Sequence, residues 1–127
     1  MDAQQELFTA LKLGLEAKGY AVYDGVLPPE DTPYPFVYLG DFQQTDREHK
    51  NDYTGIVYPQ IHIWHNNVRN RGTVSAMMLD AKNICRAITK TNNYAWMVRN
   101  VNGRIIPDNT TKTPLLHGIV DAEFVFS

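Results

Sequence analysis

The sequence predicts an α+β domain of two layers, a mainly antiparallel sheet of about four strands with two helices packed on one face. Two segments carry apolar residues at helical spacing: Leu7, Leu11 and Leu15 in one, and Val74, Met77, Met78, Ala81, Ile84, Cys85 and Ile88 in the other. Segments rich in β-branched and aromatic residues follow each of them, so the order reads helix, strand, strand, helix, strand, strand. A chain of 127 residues has room for one core, and residues 1–127 read as one domain.

The first helix is expected from about Asp2 to Lys18. Asp2 and Gln5 form a capping pair for the free amides of the first turn, and Gly19 can close the helix in the left-handed conformation. Ala21 to Tyr23 reads as a short extended piece, turned by Asp24-Gly25. Val26 to Pro35 then holds four of the seven prolines. Each proline removes a donor and pushes its predecessor towards extended geometry, so this stretch is a stiff strap that lays Tyr34 and Phe36 on the body.

Phe36 to Phe42 reads as a strand. A polar stretch, Gln43 to Tyr53, separates it from a second strand over Gly55 to His65, in which Val57, Ile61 and Ile63 share one parity. Pro59 cannot donate to a ladder, which places this strand at an edge or gives it a bulge. The second helix is expected over Thr73 to Lys90, with Lys82, Arg86 and Lys90 on its wet side. A third strand begins at Tyr94 or Ala95 and runs to Val101, with Asn102-Gly103 as a turn or bulge before Arg104 to Ile106 continue it. After a loop over Asp108 to Thr113, the last strand is Leu115 to Phe126. Val120, Ala122, Phe124 and Phe126 share one of its faces, and Ile119, Asp121, Glu123 and Val125 the other.

Composition excludes several function classes. With 43% apolar residues the chain is not of the disordered type. No apolar run approaches the roughly 20 residues of a membrane span, and the first residues lack the basic-then-apolar layout of a secretory signal. The single cysteine permits no internal disulfide and suits a reducing compartment. A net charge of −2 removes the simplest case for a nucleic-acid binder.

Candidate chemistry is sparse. His62 and His65 point to opposite faces of a strand, while His49 and His117 lie elsewhere, so no metal site is expected. Cys85 falls on the apolar stripe of the second helix, where a thiol is inert. Of the strand carboxylates Asp41, Asp121 and Glu123, the latter two read as a solvated face. Lys82, Arg86 and Lys90 read as a solvated helix side rather than a phosphate-binding row. No glycine-rich phosphate motif occurs, and Asn109-Thr110-Thr111, although a glycosylation sequon, has no secretion signal to expose it. Nothing assembles a nucleophile, a base and an oxyanion site, so no catalytic residue and no cofactor is expected.

Two stretches resemble a known family. They are Val22-Tyr23-Asp24-Gly25-Val26-Leu27-Pro28-Pro29 through Pro33-Tyr34-Pro35-Phe36-Val37-Tyr38-Leu39-Gly40, and Gln60-Ile61-His62-Ile63-Trp64-His65 before a helix beginning near Thr73. Together with the closing strand entered through His117-Gly118, they resemble the small tail-completion, or tail-terminator, proteins of long-tailed bacteriophages and prophages. The resemblance covers nearly the whole chain; Pro33-Tyr34-Pro35-Phe36-Val37 before Leu39-Gly40 is its most specific piece, and Pro59 and the 43–53 stretch depart from it. It implies a non-enzymatic virion protein, assembled in the host bacterial cytoplasm. Such proteins form a homo-oligomeric ring, typically hexameric, at the head-proximal end of the tail tube. They stop tube growth and join the capsid connector, with DNA only passing through. The rivals are another head–tail connector or stopper, and a small-molecule-binding α+β domain using Tyr58, His62 and Trp64.

Two interface expectations follow. Tyr58 and Trp64, on the supposed edge strand, offer large contact area to a neighbouring subunit, the alternative being that Trp64 packs under the second helix. The polar stretch Gln43 to Thr54, with Asp46, Arg47, Glu48 and Lys50, reads as a structureless finger that orders on a partner, with Tyr53 its lone apolar residue, the alternative being a tolerated surface insertion with no role.

Overall fold

The computed structural model describes residues 2–48 and 53–127. Among these, the elements run α1 (Ala3–Ala17), β1 (Val22–Asp24), β2 (Phe36–Leu39), β3 (Gln43–Glu48), β4 (Tyr53–Tyr58), β5 (Gln60–His65), α2 (Arg71–Ala87), β6 (Trp96–Asp108) and β7 (Leu115–Phe126). The α+β class, the two helices and the pair of strands after α2 are as the sequence predicts, but five strands rather than two lie between the helices. The sheet, however, has seven strands rather than four, in the order β1-β2-β5-β7-β4-β3, with β6 also paired to β7.

The higher count has a physical origin. β4 and β5 keep a single register along one edge of β7: Gly55 lies opposite Phe126, Val57 opposite Phe124, Ile61 opposite Val120 and His65 opposite Leu116. They are two halves of one line of pairing, divided where Pro59 has no amide to give. β2 and β3 line up on the other edge of that pair, offset by one residue, with Phe36 opposite Trp64 and Gln43 opposite Tyr58. The strand carrying Pro59 is therefore internal, which corrects the expected edge position. Its interruption is matched on both sides. The Gly40–Phe42 segment separates β2 from β3, and a bulge in β6 falls between Arg99 and Asn102, where Asn100 adopts φ 52°. The bulge thus sits two residues before the expected Asn102-Gly103. A crease crosses the sheet at the level of Pro59 and Ala122.

β1 pairs parallel to β2, and the proline-rich strap between them is the crossover connection that such pairing requires. All other pairings are antiparallel.

The core fills the space between the helices and one sheet face. Leu7, Leu11 and Leu15 of α1 and Val74, Met77, Met78, Ala81 and Cys85 of α2 pack with Val37, Leu39, Ile61, Ile63, Val120, Phe124 and Phe126. Asp2 caps α1 by accepting from the Gln5 amide at 2.8 Å, and Gly19 follows the helix at φ 90°, as its sequence position suggests. α2 starts two residues earlier and ends three residues earlier than expected, so Ile88 is extended and Lys90 lies beyond the helix in a bridge to Ala95. Glu6, although 5% exposed, is well satisfied: Thr91 Oγ1 and Asn93 Nδ2 each donate to its carboxylate at 2.6 Å, and the Asn93 amide at 3.0 Å. These bonds tie the start of α1 to the turn after α2 and hold the Glu6 carboxyl below its ordinary value.

The Gln43 to Tyr53 stretch is the largest correction. Most of it is not structureless, because β3 pairs with β4 from Gln43–Tyr58 to Glu48–Tyr53. Tyr53 is not isolated either. Its ring packs on Phe126 with centroids 5.2 Å apart and on Tyr94 at 6.1 Å, and its hydroxyl takes a bond from Gln44 at 2.6 Å. A polar strand is thus held by one aromatic anchor and a ladder. His49 and Lys50 lie outside the described residues.

Gly118 sets how closely α2 approaches the sheet. A Cβ there would lie 2.8 Å from Val74 Cγ1 and 3.0 Å from Met78 Sδ. Val74 is fully buried and has no room to yield. Gly118→Ala is expected to destabilise the fold by about 1–3 kcal/mol, the usual range for overpacking a core, as measured by urea unfolding. A variant as stable as the parent contradicts this reading of the contact.

Candidate functional site

Strand alternation sends Phe36, Tyr38, His62, Trp64, His117 and Ile119 to the sheet face away from the helices. This open face carries the chemistry-bearing side chains of the sheet. His62 Nδ1 lies 2.7 Å from His117 Nε2, and His62 Nε2 lies 3.0 Å from Gln60 Oε1. The Trp64 and His117 rings stack with centroids 3.7 Å apart and planes at 10°, and Tyr38 flanks His62 at 6.2 Å. Trp64 therefore packs within its own chain, on His117 rather than beneath α2.

The short contact between the two imidazoles constrains their charge. One nitrogen must donate and the other accept, so the pair cannot hold its geometry with both rings protonated. Burial pushes His117 down to about 4, helped by His62 and Arg104 and opposed by Asp108. Burial also lowers His62, against the pull of Asp41. Both are neutral at pH 7 and serve as a rigid, hydrogen-bonded platform.

Two depressions flank that platform. One, about 350 Å³, follows the crease and is lined by Tyr58, Gln60 and Asn102 with the carboxylates of Asp41, Asp121 and Glu123. Glu123 is engaged there by Arg99 Nε at 2.8 Å. The other, about 400 Å³ and more apolar, runs under the strap between Leu27, Pro28, Tyr34, Phe36, Trp64 and Leu115. Tyr58 thus lines the first and Trp64 the second, so Tyr58, His62 and Trp64 do not converge on one cavity.

The remaining expected residues are dispersed. Asp46 and Arg47 are exposed on β3, Glu48 ends that strand, and Lys50 is outside the described residues. His65 is 7% exposed and takes a bond from the Asn67 amide. Cys85 is buried, and burial pushes its thiol up to about 12, so it is no nucleophile at neutral pH. Among the described residues, no group of three or more His, Cys, Asp or Glu is placed to hold a metal ion. The His62–His117 pair was missed because 55 residues separate its members. Only the β5–β7 register brings them together, and no local spacing announces it.

The sequence matches no family model and no curated protein. Its fold, in contrast, is shared with solved structures across almost its whole length. The gp17 protein of bacteriophage SPP1 is similar at TM-score 0.61 and 22% identity, covering 96% of this chain and 89% of that one. A chain from the virion of a native gene transfer agent particle is similar at TM-score 0.56 and 15% identity, covering 98% and 95%.

The histidine pair makes stability depend on pH. In the unfolded chain an imidazole titrates near 6.5, whereas in the fold His117 resists protonation until about 4. The folded state binds fewer protons between these values, so the pair's contribution is full above the upper value and is lost as pH falls towards the lower. His117→Gln, which removes one titrating ring, is expected to lose less thermal stability than the parent between about pH 7 and about pH 4, followed by circular dichroism. Parallel declines for both proteins contradict a role for the pair.

Proposed function

We propose that this chain is a structural virion protein that completes the tail of a long-tailed phage or prophage. In this reading it closes the head-proximal end of the tail tube as a homo-oligomeric ring, typically a hexamer, and presents the surface that the capsid connector joins. It would assemble in the host cytoplasm with the tube protein and the connector as partners, while DNA passes through the ring without being held. The observation that carries the proposal is the similarity of the fold, over almost the whole chain, to a bacteriophage protein and to a chain of a gene transfer agent virion.

The site geometry is compatible with that role. The open-face histidines are neutral and engaged with each other, the cysteine is buried, and the crease carboxylates include one already paired with Arg99. Tyr58, Trp64, Asp46 and Arg47 keep their place in the proposal as contact residues, now on the open face and on an edge strand.

Negative-stain microscopy and native mass spectrometry of the purified protein, alone and with tail tubes, test the reading. Closed rings with a central opening, or caps confined to one end of each tube, are expected. A protein that forms no closed oligomer and leaves tube ends bare contradicts it.

A further inference from the structure

The charges of this chain are segregated in a way that its net charge conceals. Residues 19–46 contain five carboxylates, Asp24, Glu30, Asp31, Asp41 and Asp46, and no lysine or arginine. Residues 66–107 contain seven, Arg69, Arg71, Lys82, Arg86, Lys90, Arg99 and Arg104, and one carboxylate, Asp80. The fold then places the centres of these two segments apart. The strap of the acidic segment lies over the open face, where Leu27 and Tyr34 adjoin Trp64. Helix α2 of the basic segment lies on the other face, where Val74 and Met78 seat over Gly118.

Each flank also exposes apolar side chains beside its charges. On α2, Leu79, Lys82 and Arg86 fall at spacings of three and four and share one stripe, with Leu79 55% exposed. Asp80, the lone carboxylate of that helix, is turned to a hydrogen bond from Tyr20 of the region after α1. On the strap, Val26 is 83% and Leu27 68% exposed, next to Glu30 and Asp31. Among the described residues the ion pairs are Lys12 with Asp24 and Arg99 with Glu123, and none involves Lys82, Arg86, Glu30 or Asp31.

The geometry points to a head-to-tail contact between copies of this chain, in which the Leu79–Lys82–Arg86 stripe of one copy seats against the Val26–Leu27–Glu30–Asp31 flank of the next. The contact deepens the ring reading above and rests on it. Two different, complementary patches on opposite sides of a protomer form a heterologous interface, which propagates and closes into a ring when the rotation permits. A two-fold contact would instead need one self-complementary patch. A nucleic-acid partner for the stripe is disfavoured by the exposed leucine beside its cations and by the overall acidic balance, whereas the strap supplies both the apolar and the charged complement.

The test is a charge exchange. The strap variant carries Glu30→Lys and Asp31→Lys, and the helix variant carries Lys82→Glu and Arg86→Glu. Thermal melts confirm that each folds, which their exposed or half-exposed positions favour; if the reversal does not fold, Glu30→Gln with Asp31→Asn replaces it and is read for weaker association alone, not for recovery in the mixture. Native mass spectrometry of wild type, of each variant and of their mixture then reads the assembly. Each variant alone is expected to associate at least tenfold more weakly than wild type. The equimolar mixture is expected to recover closed oligomers with even numbers of subunits, because opposite flanks again meet. Wild-type rings should weaken with added salt. If wild type forms rings and both variants form them equally well, the ring stands and this assignment of flanks falls. The assignment falls likewise if the folded variants fail alone and in mixture, or if the helix variant assembles normally but loses retention on DNA. If wild type forms no closed oligomer with or without tubes, the ring reading itself fails and the contact with it.

Discussion

Strand β7 is the constraint on which the sheet depends. Its twelve residues have β5 and β4 on one edge in unbroken register and β6 along the other. From Gly118 onward its helix-side positions are Gly118, Val120, Ala122, Phe124 and Phe126, none larger than valine before the two phenylalanines. The small end admits α2 at close range, and the large end fills the space beneath Trp96, Tyr94 and Tyr53. A single strand thus fixes the register, the helix position and the aromatic cluster that anchors the β3–β4 hairpin. The crease follows from the same strand. Pro59 on one side and the β6 bulge on the other both fall opposite Ala122, so neither forces an unpaired amide onto a straight neighbour.

Much of this was legible in the sequence wherever the signal was local. Asp2, Gln5 and Gly19 mark the ends of α1 by capping chemistry, and the four-residue spacing of Leu7, Leu11 and Leu15 identifies its buried stripe. The alternation in Leu115 to Phe126 assigns the faces of β7 correctly, and Cys85 is placed in the core by its helical position. The signal fails where pairing partners decide. Gln43 to Glu48 has no apolar alternation, so its strand is set by β4 and by Tyr53 reaching Phe126 across the chain. Pro59 suggested an edge because a proline inside a sheet normally leaves a neighbour unpaired. Here the neighbours break at the same level, and that coincidence is a property of three strands rather than of one. The Trp64–His117–His62 stack is likewise invisible before the register is known.

The two faces of the sheet have different tasks. The helix face holds the apolar core and the Glu6 tie between α1 and the Thr91–Asn93 turn, which joins the beginning of the chain to the segment entering β6. The open face holds polar and aromatic groups that satisfy one another. Trp64, His117 and His62 form a stiff surface at neutral pH, with the strap on one side and the crease on the other. Such a surface suits recognition by shape, in which flat aromatic and imidazole rings offer area with little entropy to lose.

The central claim is that this chain completes a tail and connects it to a head. Electron microscopy of a lysate from a phage lacking only this chain tests it most directly. The account predicts filled heads without tails, together with separate tail tubes of uneven and excessive length. Normally joined particles with tails of uniform length, produced in the absence of the chain, would contradict it.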